Sequence, residues 1–257
     1  MMYKVEKDFI IEQIKKSYQK CASMEYNTSQ KTDFDLVTNI DLAIEKEISN
    51  AIKETFPQDH ILGEEFSHDE EIVGRTWTID PIDGTCNMAH GIKLYGVQCS
   101  LINNGEIVLG VVYLPHFNDV IWAIKDCGAY CGENRINVNH EVLLNNAIVS
   151  FGDYPHKATT ELADMQHKAI KNLYSKIAKI RMFGAACIDF TSVAQAKTDA
   201  TVIITKNLWD ICPGIIICKE AGALVTNLKG KVYKFGDVGV IASANENLLN
   251  LLVESFK

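Results

Sequence analysis

Trp77-Thr78-Ile79-Asp80-Pro81-Ile82-Asp83-Gly84-Thr85 reads as a strand that runs into an acidic turn. Arg75 to Ile79 is β-branched and aromatic with a rough alternation, and Asp80-Pro81 and Asp83-Gly84 place two turn signals close together. Pro81 fixes its own φ and holds Asp80 extended, so the Asp80 carboxylate is predicted at the end of a rigid strand. Two carboxylates spaced this way around a turn can converge on one point. Gly84 lets the backbone pass close to a ligand, and Thr85 offers a hydroxyl and an N–H where a new segment begins. The same residues would also make an ordinary β-turn, because both dipeptides are common there.

Two more acidic segments favour convergence. Ile61-Leu62-Gly63-Glu64-Glu65 again reads as a short strand ending in carboxylates, and Trp209-Asp210 opens an apolar segment that closes with Glu220-Ala221-Gly222. In this order the three resemble the inositol monophosphatase family of magnesium-dependent, lithium-sensitive phosphatases. Its signatures are Gly-Glu-Glu, Asp-Pro-Ile/Leu-Asp-Gly-Thr, and Trp-Asp followed by Glu-Ala-Gly-Gly. The resemblance covers nearly the whole chain. It implies a phosphoric monoester hydrolase, a layered αβαβα sandwich and a homodimer.

The chain of 257 residues, 47% hydrophobic, suits a globular protein of one large or two small domains. No apolar run approaches the roughly 18 residues of a membrane span. The start, Met1-Met2-Tyr3-Lys4, has no secretory apolar region, so a cytoplasmic address and no membrane partner are expected. A net charge of -8 argues against nucleic acid as a partner. None of the eight cysteines forms a Cys-x-x-Cys pair, so they read as reduced, mostly buried thiols. Cys86 and Cys212 flank the acidic motifs, where oxidation would reach the activity.

Apolar spacing predicts a helix from Tyr3 to Ala22, then an aperiodic loop from Ser23 to Asp33 containing Lys31. Thr38, with Asp41 three residues later, reads as a capping box for a second helix that buries Ile40, Ile44, Ile48 and Ile52 and ends at Pro57. From Gly91 the pattern becomes an antiparallel meander: Tyr95 to Ile102, Ile107 to Leu114 and Val120 to Ile124. After about Asn145 strands and helices alternate, the mark of a mostly parallel sheet, with Pro213 in the first turn of an Asp210 helix. The fold class is α/β: residues 1–145 as N-terminal helices plus an antiparallel sheet, and residues 146–257 as an α/β domain supplying Asp210 and substrate contacts.

By resemblance, Glu64 would bind a first metal with Asp80 and the main-chain oxygen of Ile82, and Asp80 would bridge to a second metal held by Asp83 and Asp210. Two or three Mg2+ ions per site are implied. All these donors are oxygens, which suits magnesium, and the soft ligands that select zinc are missing from the set. Glu64 and Thr85 would orient the attacking water, with Asp41 polarising Thr85. The N–H groups of Gly84 and Thr85 would hold phosphate oxygens. Lys31 matches a loop lysine near the metals, and Gly184-Ala185-Ala186 a segment touching the rest of the substrate; Glu64, Asp83 and Asp210 would also face it. Bland roles stand beside these: Asp41 as a helix cap, Asp210 as a first-turn carboxylate, Lys31 and Glu65 as surface charges, Cys86 and His90 as lining of the turn, and Glu220 as a support of the second domain.

Two departures stand out. Ile203 occupies the position of a glutamate that hydrogen-bonds sugar-like hydroxyls in many inositol phosphatases, and Ala223 replaces the second glycine of Glu-Ala-Gly-Gly. The catalytic centre therefore reads as complete and the polyol pocket as altered. The expected substrate is a small phosphate monoester like inositol 1-phosphate. The alternatives on the same fold are a 3′-phosphonucleotide, NADP or fructose 1,6-bisphosphate, or an inactive metal-binding relative. A haloacid-dehalogenase-type phosphatase would need an aspartate two residues before Asp83, where Pro81 stands.

Overall fold

The computed structural model describes residues 2–21, 24, 27–30, 36–67, 71–155 and 160–257. Helices α1 (Lys4–Cys21) and α2 (Asn39–Thr55) form where the apolar spacing places them. Their stripes, Ile10, Ile14 and Cys21 on one and Ile40, Ile44, Ile48 and Ile52 on the other, pack together on one face of a large sheet. The Thr38 hydroxyl accepts the N–H groups of Ile40 and Asp41 while Asp41 accepts the Thr38 N–H, so the capping box forms as read. Within the Ser23–Asp33 segment expected to be an aperiodic loop, Thr28–Gln30 instead forms β1, antiparallel to β2 (Leu36–Thr38) just beyond it. Strands of three residues are too short to show alternation. Lys31 lies outside the described residues.

The large sheet has seven strands in sequence order: β3 (His60–Gly63), β4 (Arg75–Asp83), β5 (Gly96–Asn103), β6 (Glu106–Leu114), β7 (Asp119–Ile124), β8 (Ala129–Cys131) and β9 (Asn134–Ile136). Every pairing is antiparallel except β3 with β4, which is parallel. The expected turn at Asp80-Pro81 is a bulge within β4. Asp80 faces Gln98 and Asp83 faces Gly96, so three steps on β4 oppose two on β5. Pro81 has no N–H to give the ladder, and the extra residue absorbs that loss while re-aiming the carboxylates on either side. Gly84 then turns the chain into the short helix α3 (Thr85–Ala89).

The second sheet contains β10 (Ile148–Phe151), β11 (Lys179–Arg181), β12 (Ala200–Ile203), β13 (Leu224–Asn227) and β14 (Val240–Ser243), in the order β11-β10-β12-β14-β13. It is mixed where a mostly parallel sheet was expected: β10 pairs in parallel with β11 and β12, whereas β14 is antiparallel to β12 and β13. No helix lies between β13 and β14, and without a crossover the chain returns antiparallel. Helices α4 (Thr160–Leu173) and α7 (Glu246–Ser255) contribute to the core on the outer face of this sheet. Between the sheets lie α5 (Ala186–Ala194) and α6 (Leu208–Glu220), in one core with Val112, Leu114, Ile203 and Ala242. The order of layers is αβαβα.

The middle layer is tight. A Cβ at Gly110 would stand 2.7 Å from the Pro213 carbonyl oxygen, and one at Gly214 2.2 Å from the Phe190 ring, so glycine at both places lets α6 lie directly on β6 and α5. Because α6 begins at Leu208, Pro213 falls in its second turn and not the first, while Asp210 falls in the first.

Glu220 closes this layer against the large sheet. Its carboxylate accepts the main-chain N–H groups of Asp126 (2.8 Å), Cys127 (3.1 Å) and Gly128 (2.7 Å) in the β7–β8 turn. It thus ties α6 to the large sheet, a wider role than support of the second half alone. Glu220→Ala is expected to cost about 2 kcal/mol, the scale of charge-assisted hydrogen bonds lost together. A fall in Tm of about 4–8 °C with turnover at low temperature retained would bear this out; an unchanged Tm would refute it.

Candidate active site

The β4 bulge, the start of α5 and the start of α6 meet at one place. Gln98, fully buried in β5, places Nε2 near Asp80 Oδ2 (3.2 Å), Asp83 Oδ2 (3.1 Å) and the main-chain oxygen of Asp210 (3.3 Å), three acceptors that share its two protons. Asp83 also accepts the main-chain N–H of Ala186 at 3.2 Å and that of Cys187. Asp210 Oδ2 accepts the Thr205 hydroxyl at 3.3 Å. Gly84 has φ +92°, and a Cβ there would meet Ala185 Cβ at 2.9 Å and the Leu94 carbonyl at 3.0 Å. Only glycine combines that conformation with that approach.

The carboxylates share one electrostatic neighbourhood. Burial pushes Asp80 well above the usual carboxylate range, and the charges of Glu64, Asp83 and Asp210 push it further, against the Gln98 amide. Burial raises Asp210 likewise, with Glu64 and Asp83 adding to it. Asp83 is pushed up to about 6 by burial, although the N–H groups of Cys187 and Ala186 pull it down. Asp80 Oδ1 is buried without a hydrogen-bond partner. An orphaned carboxylate oxygen facing like charges is costly unless a cation or a proton answers it.

Asp41 both caps its helix and reaches Thr85. One oxygen is taken by Thr38, and the other accepts the Thr85 hydroxyl at 2.9 Å. Thr85 Oγ1 also lies 2.8 Å from the Ile82 carbonyl. A hydroxyl has one proton, so Thr85 serves one of these acceptors at a time. Burial raises Asp41, against its bonds from Thr38 and Thr85. The first helical bond of α3 runs from Met88 N–H to the Gly84 carbonyl, which leaves the N–H groups of Thr85, Cys86 and Asn87 ahead of it without partners inside the helix.

Asp41, Glu64, Asp80, Ile82, Asp83, Thr85 and Asp210 thus converge, and Ala186 joins them through its N–H to Asp83. Gly184 (φ +73°) packs against Asn87, whose amide donates to the carbonyls of Leu94 and Phe183 and ties the two loops together. Among the described residues no three His, Cys, Asp or Glu side chains are gathered tightly enough to hold a metal ion as they stand. Asp83 in particular is engaged by main-chain N–H groups. Still, the oxygen-only donor set and the orphaned Asp80 oxygen fit a hard divalent cation. Ile203 is buried, its Cδ1 lying against Gly152, and offers substrate no polar atom. Cys86 is exposed and touches His90, whereas Cys212 is buried, which raises its thiol and argues against reactivity there.

Sequence reasoning missed Gln98, Asn87 and Glu45. A polar residue inside the apolar strand Gly96-Val97-Gln98-Cys99 was the available signal for the first, and a glutamate one turn after Asp41 beside the Ile44–Ile48 stripe for the last. Asn87 carried no signal.

The family model described as "Inositol monophosphatase family" matches residues 3–257. The chain belongs to the inositol monophosphatase family. It is 35% identical over 206 residues to the fructose-1,6-bisphosphatase/inositol-1-monophosphatase of Thermotoga maritima, covering 80% of this chain and 77% of that protein. It is 33% identical over 221 residues to the Nus factor SuhB of Pasteurella multocida, covering 84% and 80%. The solved structure of a Thermotoga maritima IMPase superposes with a TM-score of 0.86 at 31% identity, covering 97% of each chain. As a member of this family the protein is a phosphatase, a phosphoric monoester hydrolase.

Proposed function

We propose that the protein uses Mg2+ to hydrolyse a small phosphate monoester, with water as the nucleophile. The observation that carries this reading is Asp80: fully buried, one oxygen orphaned, and raised by three further carboxylates. Glu64, Asp80, the Ile82 carbonyl, Asp83 and Asp210 would hold the cations. Bound there, they would lower the pKa of water and neutralise the phosphoryl and leaving oxygens. Thr85 Oγ1, donating its hydrogen bond to Asp41, keeps lone pairs to orient the nucleophile and accept its hydrogen bond. The N–H groups of Gly84 and Thr85 would receive phosphoryl oxygens, with Ala185 and Ala186 beside the alcohol. Lys31 would supply positive charge.

The buried Ile203 favours an alcohol that asks for no hydrogen bond at that position, so inositol 1-phosphate is expected to be a poorer substrate than another member of a panel. That panel comprises inositol 1-phosphate, fructose 1,6-bisphosphate, a 3′-phosphonucleotide and NADP. Phosphate release that requires Mg2+ and is abolished by chelation supports the reading. Release from no monoester, with Mg2+ still bound, would sink it. The naming of one relative as Nus factor SuhB favours a second reading in which a protein partner is also bound; a stable complex of the purified chain with one identified protein would distinguish it.

A further inference from the structure

Glu45 sits on α2 one turn after Asp41 and is fully buried. Its carboxylate addresses the chain that leaves β3. Oε2 accepts the Glu65 N–H at 2.8 Å, and Oε1 accepts the Phe66 N–H at 3.1 Å. The contact at Gly63 is closer still: a Cβ there would stand 2.1 Å from Glu45 Oε1 and 2.6 Å from its Cδ. Gly63 is needed for space, since its φ lies outside the left-handed region. From the other side, Glu64 N–H donates to the Ile79 carbonyl of β4 at 3.2 Å. Glu64 is therefore clamped between a strand edge and a buried carboxylate.

This clamp has work to do. Glu64 shares its neighbourhood with Asp80 and Asp210, whose like charge repels it. A short turn carrying a repelled carboxylate relaxes toward solvent unless its main chain is fixed. Charge-assisted bonds from main-chain N–H groups to a buried carboxylate are among the stronger ways to fix it.

We propose that Glu45 is a positioning residue that pins the Gly63–Phe66 turn and so sets how Glu64 is presented to the cation site. This rests on the role given to Glu64 above. Residues standing behind metal ligands typically change affinity or activity by about 10–100-fold when altered.

The test uses the full chain and Mn2+ as the probe. Glu45→Gln keeps the shape but turns one acceptor oxygen into an NH2 group. It is expected to weaken Mn2+ binding, followed by the electron paramagnetic resonance of free Mn2+, by at least about tenfold. The kcat should fall similarly while KM moves less than roughly threefold. Gly63→Ala, which pushes the same carboxylate from the other side, should give the same signature and add little once Glu45→Ala is in place; it serves if Glu45→Gln does not fold. Glu64→Gln is the control. Mn2+ affinity and kcat like the parent in both Glu45→Gln and Gly63→Ala, with both lost in Glu64→Gln, would overturn the inference and leave the function standing. A Glu64→Gln variant that behaves like the parent would overturn both.

Discussion

Asp210→Asn is expected to lower turnover by about a thousandfold, close to 4 kcal/mol of transition-state stabilisation. The substitution preserves shape and an acceptor for the Thr205 hydroxyl, now 3.3 Å from Asp210 Oδ2. It removes a charge that burial and two neighbouring carboxylates already disfavour. The metal-free fold should therefore be unharmed, with a Tm equal to or above the parent's. Asp83→Asn is a less clean test, because Asp83 accepts N–H groups from both Ala186 and Cys187. An asparagine there must turn an NH2 toward one of them, which mixes a folding cost with a catalytic one. Steady-state phosphate release at saturating Mg2+, beside a melting curve without metal, separates the two effects. Asp210→Asn turnover within tenfold of the parent would remove Asp210 from the cation site.

The acidic motifs were legible because chemistry of this kind needs charge at fixed intervals along the chain, and turn residues mark where it comes. Asp80 and Asp83 stood out that way, as did the Thr38–Asp41 capping box and the apolar stripe of α2, whereas Glu64 and Asp210 were named only through the family resemblance of the three acidic segments. Other features depend on what lies across space. The bulge at Pro81 looked like a turn because proline interrupts a ladder and ends a strand by the same loss of an N–H. The antiparallel β14 was hidden because periodicity reports that a strand exists and not which neighbour it takes. Gln98 becomes meaningful only when β5 is laid against β4, opposite Asp80. The reach of Glu220 to the β7–β8 turn, and of Ala186 and Cys187 to Asp83, spans roughly a hundred residues of sequence in each case. No local pattern encodes such a distance.

Without divalent cations the protein is expected to become less stable as pH rises from about 5 to 7, the reverse of the usual acid response. An ordinary aspartate in the unfolded chain titrates near 3.9. Burial holds Asp83 up to about 6 and Asp80 and Asp210 well above the usual range. Between those values the folded protein binds more protons than the unfolded one, so stability falls with pH. The contribution is fully present below the unfolded pKa and is lost as pH climbs through about 6 and beyond. Divalent cations compete with these protons for the same oxygens, and their binding strengthens as the carboxylates ionise. At pH 7, Mg2+ at about a hundred times its Kd should restore about 2.7 kcal/mol, a rise in Tm of about 5–10 °C. Melting curves at pH 5, 6 and 7, with and without Mg2+, give both slopes, and Asp210→Asn should flatten the metal-free one. A metal-free Tm that climbs with pH as steeply in the parent as in Asp210→Asn, together with no response to Mg2+, would mean that these carboxylates neither repel one another nor wait for a cation.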